Sequence, residues 1–384
     1  MKRTYTILAL LVMTMVSFAK EKVNVKYLEE MELVSVVAHL ADVPGYNWDK
    51  QYVLGEYLND VDSCFSPYKR HPAVDFVRKK LEPHGFSWDF PMAVARRFSI
   101  VNGKIVYKKD LVAGYSDYYK RISKTNEKKF LALLQKFYTD SRFQKFYNNH
   151  LPLYKECEEA MQTMVDKIDF GWYDRFFGPK QYCEQNVFLG ILIGGANYAV
   201  HNKKSAKGKD MEIVDAVMGC CSRRDGRIYY GPEYTLPIII HEFNHSYCNP
   251  LNEEVWEKIS DKATELYTPN AEFYKSEAYG NPLYVMNETF VEACVIRYLM
   301  SHPELDLNGF TIEDCIQIDL RKKLYMIRDI IKVLEEREAN PDLYKTMRDF
   351  MPRYIEAVNN YKVESHKQPK EAQPTNPVGR VYGC

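Results

Sequence analysis

The sequence predicts an α+β fold: a mainly helical N-terminal part, a short sheet, two helices that carry a candidate site, and a helical C-terminal part. Three observations predict it. Apolar residues recur at helical spacing from Val23 to about residue 170, the pattern changes at Phe170 to period-two and continuous apolar runs, and helical spacing returns from Thr311 to Tyr361.

Composition sets the frame. Of 384 residues, 46% are hydrophobic and 27% charged, and 52 basic residues balance 52 acidic ones, which argues against nucleic acid or an anionic membrane surface as a partner. The 30 Tyr and 19 Phe are many, and packing in a large core accounts for most of them. There is no internal repeat. Nine Cys leave at least one thiol without an intrachain partner, no Cys-x-x-Cys pair occurs, and no bridge is assigned.

At the start, Lys2 and Arg3 precede a 13-residue apolar stretch, Ile7 to Ala19, too short to span a bilayer comfortably. With Ser17 and Ala19 small, it reads as a secretory signal peptide cleaved after residue 19, so the mature chain is expected to be exported, periplasmic or extracellular. No other apolar run approaches a membrane span. The remaining roughly 365 residues suit one large domain or two.

In the N-terminal part, Leu28 to Leu40 marks one amphipathic helix ended by Pro44-Gly45, and Ala73 to Leu81 a second, opened by Ser66-Pro67 and closed by Pro83-His84-Gly85. Longer helices are predicted from Asn126 to about Tyr147 and from Leu153 to about Ile168. His71 and His84 flank the second helix and read as structural. Beyond Phe170, Val187 to Ile193 is a buried strand leading into Gly194-Gly195, followed by Glu212 to Met218 and Arg227 to Tyr230 about an Asp225-Gly226 hairpin turn. Asn252 to Thr268 reads as a separate exposed helix. Residues 362–384, with three Pro and little apolar content, read as a disordered tail.

The chemistry is concentrated in Pro237-Ile-Ile-Ile-His241-Glu242-Phe-Asn-His245-Ser-Tyr-Cys248. On a helix, His241 and His245 lie one turn apart and can close on one cation, with Glu242 about 100° round, beside a water at the open position. With nine His, this spacing arises by chance in roughly one or two such chains per hundred, so context must decide. The apolar run before His241 buries the helix, and buried imidazoles and carboxylates need partners. A core helix whose His and Glu only hydrogen-bond is the plainer alternative.

A third ligand is offered by the helix opened by Asn281-Pro282, an N-cap followed by a first helical Pro. It is apolar on nearly every side to Met300, yet Glu288 and Glu292 interrupt it four residues apart. Uncompensated burial of each carboxylate costs several kcal/mol, so something cationic should face them. Zinc with its two imidazoles would serve, and solvent exposure or pairing with Arg297 is the alternative.

Together these elements resemble the gluzincin branch of zinc metallopeptidases, whose His-Glu-x-x-His helix is followed by a second helix carrying Asn-Glu-x-x-x-Asp/Glu. Asn287-Glu288-Thr-Phe-Val-Glu292 matches that second element. The resemblance implies His241, His245 and Glu288 as zinc ligands, Glu242 as catalytic base, and Glu292 as the outer carboxylate orienting a ligand imidazole. It covers residues 187 to 300 and departs in spacing: 42 residues lie between His245 and Glu288, a longer gap than in the best-known members. Over its whole length, including Ser66-Pro-Tyr-Lys-Arg-His71-Pro-Ala-Val, the chain also resembles an uncharacterised family of secreted bacterial zincin-like proteins.

The resemblance implies a zincin-like catalytic part over residues 171–361, behind an N-terminal helical part over 20–170. The short sheet would offer an edge strand to an extended peptide or protein substrate, the expected partner. The expected activity is zinc-dependent peptide hydrolysis. The rivals are a non-catalytic binding protein on the same frame and a zinc hydrolase of a non-peptide amide. An oxyanion donor from the C-terminal half, such as Arg353 or Tyr354, is possible, and no feature singles one out.

Overall fold

A computed structural model describes residues 23–362, apart from 51, 115–116, 180–182, 207–208, 220–221 and 278. The predicted signal peptide and all but the first residue of the predicted tail lie outside the described residues.

The N-terminal part is helical for most of its length and adds short strands. β1 (Val25–Tyr27) leads into α1 (Glu29–Leu40), α2 (Gly55–Phe65) and α3 (Pro72–Phe76), which continues as a π-helical turn over Val77–Leu81. After α4 (Phe90–Ala95) come the hairpin of β2 (Phe98–Val101) and β3 (Lys104–Tyr107), then β4 (Leu111–Ala113) and α5 (Tyr118–Arg121). Two long helices follow, α6 (Lys124–Asp140) and α7 (Phe143–Val165). The boundary between them differs from the one that spacing predicts. The chain turns at Arg142, whose φ of 55° is left-handed, and α7 runs straight through Pro152. Neither Gly nor Pro marks that turn, so apolar periodicity reads across it.

The central and C-terminal elements are α8 (Gly171–Phe177), β5 (Cys183–Gly190), β6 (Asn197–Ala206), β7 (Lys209–Gly219), β8 (Arg223–Arg224), β9 (Arg227–Ile228), α9 (Pro232–Tyr267), α10 (Ala271–Ser276), α11 (Pro282–Ser301), α12 (Ile312–Arg321), α13 (Ile327–Ala339) and α14 (Met347–Asn360). The class is α+β, with one mixed five-stranded sheet in the order β1-β5-β7-β6-β4. β5 pairs in parallel with β1 and β7, while β6 runs antiparallel to β7 and β4. Val214 to Val217 are all fully buried, so both sheet faces are covered. The free edge of β1 is closed by α7, where Gln162 Oε1 accepts from Val25 N at 3.0 Å and Glu158 Oε1 from Tyr27 N at 2.7 Å.

Asp225 and Gly226 both take the positive φ, 52° and 77°, that a tight hairpin turn needs. That turn closes only the β8–β9 ribbon. β7 instead pairs with β6, which the sequence conceals behind Asn202, Lys203 and Lys204. Gly194, at φ 61°, lets the β5–β6 connection approach closely: a Cβ there would sit 2.7 Å from the Tyr52 carbonyl oxygen.

α9 is one helix of 36 residues that passes Pro237 and Pro250, where the sequence predicts a break and a second helix from Asn252. Its burial changes along its length. From Leu236 to Cys248 nearly every residue is buried, whereas beyond Asn252 burial falls on Val255, Ile259, Ala263 and Leu266, one face of a helix. α11 packs along α9, and α13 packs on α11. One apolar core runs from Val23 to Val358. No helix among the described residues is long and apolar enough to cross a membrane.

Candidate metal centre

The register of α9 against α11 is fixed by polar links inside the core. Asn252 Nδ2 donates to Asn287 Oδ1 at 3.0 Å and Asn244 Nδ2 to the Val291 carbonyl at 3.3 Å, while the buried thiols of Cys248 and Cys294 touch at 3.7 Å. Asn281 accepts from Tyr284 N, and with Pro282 it starts α11 where the sequence predicts.

That register brings His241, His245 and Glu288 together. One ligand atom from each lies within 4.8 Å of the others, the single such group of His, Cys, Asp or Glu among the described residues. His245 Nε2 is 3.0 Å from His241 Nε2, and the Glu288 oxygens are 3.6 Å from His241 Nε2 and 3.5 Å from His245 Nε2. Ligands bound at 2.0–2.1 Å in a tetrahedron stand about 3.3 Å apart, so the spacing suits zinc. Cys248 is not among the converging atoms.

The outward nitrogens reinforce this. His241 Nδ1 lies 3.4 Å from Glu292 Oε1, and His245 Nδ1 lies 3.3 Å from Asn249 Oδ1. With each Nδ1–H donating outward, both Nε2 lone pairs face one point, an arrangement that repels unless a proton or a cation lies between. The metal-free cluster draws that proton. Burial pushes the His241 imidazole down, but Glu292 and Glu288 outweigh it and raise its pKa to about 9. Burial and the charge on His241 lower His245 to about 3.

Glu242 is buried beside this group, and its carboxylate has no hydrogen-bond partner among the described residues. Burial raises its pKa to about 7, with Glu288 and Glu292 adding to the rise and His241 opposing it. Burial likewise raises Glu288 to about 7. Two carboxyls lifted this far in one place are a strong demand for positive charge.

Three neighbours escape the sequence reading. Lys322, at the C-terminal end of α12, places Nζ 2.9 Å from Glu292 Oε1. Burial opposes the Lys322 charge, but Glu292, with Tyr279, Asp319 and Glu288 around it, holds the ammonium well above its ordinary pKa. Although burial pushes Glu292 up, Lys322 and His241 hold it below the usual carboxylate range. Asp319 is buried nearby, where burial and then the charge on Glu292 raise its carboxyl strongly. The Tyr279 hydroxyl donates to Glu288 Oε2 at 3.5 Å. Arg321-Lys322-Lys323 reads as an ordinary surface run, but Asp319 falls at helical spacing from Cys315 and Ile316, a charge on a buried face that could have been found.

Other candidates lie elsewhere. His71 caps α3, accepting from Ala73 N, and faces Asp140. Arg353 pairs with Glu336 and Glu356, and Tyr354 stacks on Phe290 at 4.7 Å. Arg297 pairs with Glu338 on α13, so it does not compensate Glu288 or Glu292.

The molecule is thus an α+β protein with two histidines and a glutamate converging between two packed core helices. Residues 23–357 match the family described as a domain of unknown function, DUF4932, and the chain belongs to that family. No curated protein and no solved structure matches it.

Proposed function

We propose that this chain is an exported, zinc-dependent hydrolase that cleaves peptide bonds, built on a zincin-like frame of the gluzincin type. The observation that carries the reading is the convergence of His241 Nε2, His245 Nε2 and a Glu288 oxygen, with each ring's Nδ1 anchored outward. His241, His245 and Glu288 would hold the ion. Bound there, zinc would supply Lewis acidity toward a carbonyl oxygen and toward water.

Glu242 is the base. Its carboxyl stands near pKa 7 and has no hydrogen-bond partner among the described residues, so it can take a proton from water and deliver it to the leaving amine nitrogen. Glu292 orients His241 through Nδ1, and Tyr279 steadies Glu288. A non-catalytic protein has no use for a buried carboxylate without a partner, which weighs against the binding-protein rival. Export rests on the apolar run from Ile7 to Ala19 behind Lys2 and Arg3.

The test is Glu242→Gln against a peptide library. Zinc content is expected to stay at the wild-type level while cleavage falls by at least roughly 100-fold. Unchanged turnover would remove Glu242 from the base role. Absence of cleavage by the zinc-loaded wild type, with a non-peptide amide turned over instead, would redirect the substrate class.

A further inference from the structure

Glu288 and Glu292 stand one helical turn apart on α11, and both approach His241, at 3.6 Å and 3.4 Å. Chemically they are the same group, so helix geometry alone does not decide which of them belongs to an ion and which to an imidazole. A third element breaks the symmetry. α12 ends at Arg321, and the next residue is Lys322, whose side chain is only 11% exposed and whose Nζ sits 2.9 Å from Glu292 Oε1. That same oxygen faces His241 Nδ1, whereas Glu288 has Tyr279 and the two Nε2 atoms around it.

We propose that Lys322 is a positioning residue for the metal centre: its ammonium pins Glu292 Oε1 against His241 Nδ1 and thereby reserves the ligand position for Glu288. This rests on the zinc reading above.

A largely buried ammonium is costly unless its charge is matched, and an apolar residue of similar size would serve packing alone. With Lys322 in place, Glu292 Oε1 lies between one cation and one ring N–H, so the carboxylate has a fixed direction. Without it, Glu292 keeps only the imidazole contact and is free to turn toward the ion, while His241 loses the partner that fixes its tautomer. Lys322 thus reaches His241 through its contact with Glu292, which is what separates this role from a simple tie between α12 and α11.

The test is a double-mutant cycle read as zinc affinity by chelator competition, using full-length protein, with Lys322→Met, Glu292→Gln and the pair. Lys322→Met is expected to weaken zinc retention by about 10- to 100-fold, the range for lost outer partners of a ligand imidazole. In the Glu292→Gln background the same change is expected to add little. Cobalt(II) loaded in place of zinc should show altered visible bands in Lys322→Met but wild-type bands in Lys322→Arg, which keeps the cation. An equal loss of zinc in both backgrounds would mean that Lys322 acts through the fold and would overturn the proposal. So would Lys322→Arg behaving like Lys322→Met, an arm that stands even if Lys322→Met does not fold. His241→Ala separates the two readings: zinc held by His241→Ala sinks the metal site itself, whereas zinc lost from His241→Ala but held normally by Lys322→Met sinks only the role of Lys322.

Discussion

Two clusters of this molecule hold buried carboxylates in opposite ways. In the N-terminal part, Glu32 is 1% exposed, yet each oxygen accepts a hydroxyl: Tyr27 donates to one, and Tyr57 to the other at 2.6 Å. Tyr57 also bonds Tyr154 at 2.7 Å, and the Tyr27 oxygen accepts from Ile191 N. At the candidate centre, Glu242 has no hydrogen-bond donor among the described residues and Glu288 has only the 3.5 Å contact from Tyr279. A carboxylate whose acceptors are filled is part of the scaffold. One buried without donors is held ready for something that the chain does not itself supply.

The largest expected effect breaks that comparison at its metal end. His241→Ala should reduce zinc from close to one per chain to a trace after dialysis, since it removes one of the three proposed ligands, while far-ultraviolet dichroism stays near wild type. Glu32→Gln should leave zinc content unchanged. If Glu32→Gln loses zinc and His241→Ala does not, the two carboxylate clusters have been assigned the wrong way round.

Much of the candidate centre is legible in the sequence, because a helix converts spacing into geometry. His241 and His245 four apart, Glu288 and Glu292 four apart, and an Asn-Pro start each specify a face or an end without reference to the rest of the chain. Lys322 and Tyr279 are not legible this way. Each reaches the centre from a helix end or a loop, and only the path of α10 and α12 brings it there. The same limit explains the fold. β6 carries Asn202, Lys203 and Lys204 inside a ten-residue strand, where pairing with β7 overrides propensity, and Pro250 fails to end α9 because packing against α11 holds the helix together.

A second prediction concerns pH. In the metal-free chain Glu242 and Glu288 have pKa values near 7 and His241 near 9, all above their unfolded values, so within those windows the folded state holds more protons than the unfolded state. Stability from these groups is therefore fully present below about pH 4.5 for the carboxyls and 6.5 for His241, and is lost as pH climbs toward about 7 and 9. His245, lowered to about 3, works the other way, but only between about pH 3 and 6.5. Above pH 6.5 the signs agree. Chelator-treated protein should lose on the order of a few kcal/mol of denaturation free energy between pH 6.5 and 9, and zinc should flatten that slope. A slope unaffected by zinc would place its origin elsewhere.

The next effect lies at the filled carboxylate. Burial raises the Glu32 pKa while the Tyr27 and Tyr57 hydroxyls, and after them the charges of His150 and His39, pull it back. Glu32→Gln keeps one acceptor oxygen and sets an amide N–H₂ against a tyrosine hydroxyl. The expected cost is about 1–3 kcal/mol in chemical denaturation, with zinc affinity unchanged. A neutral result would mean that Tyr27 and Tyr57 find other acceptors, and that this network is less constrained than its short contacts indicate.

The smallest expected effect, at Tyr279, sharpens the comparison most. Its hydroxyl is a neutral donor of the same kind as those of the Glu32 cluster, but it stands 3.5 Å from Glu288 Oε2, against 2.6 Å for Tyr57 on Glu32. A bond that long contributes little by itself. Tyr279 is nonetheless buried, in a small apolar cluster with Tyr267, Tyr274, Val285 and Leu324, so its ring is held whether or not the hydroxyl is used. Tyr279→Phe therefore leaves the packing in place and removes only the donor. If Glu288 binds an ion, its oxygens already have a cation, and the loss should weaken zinc by less than about 10-fold, at the low end of effects for outer groups. If Glu288 is instead a buried carboxylate like Glu32, Tyr279 is its main donor, and the same substitution should destabilise the protein by about 1–3 kcal/mol whether or not zinc is added. Zinc affinity and denaturation measured on this one variant thus decide which of the two kinds of buried carboxylate Glu288 is.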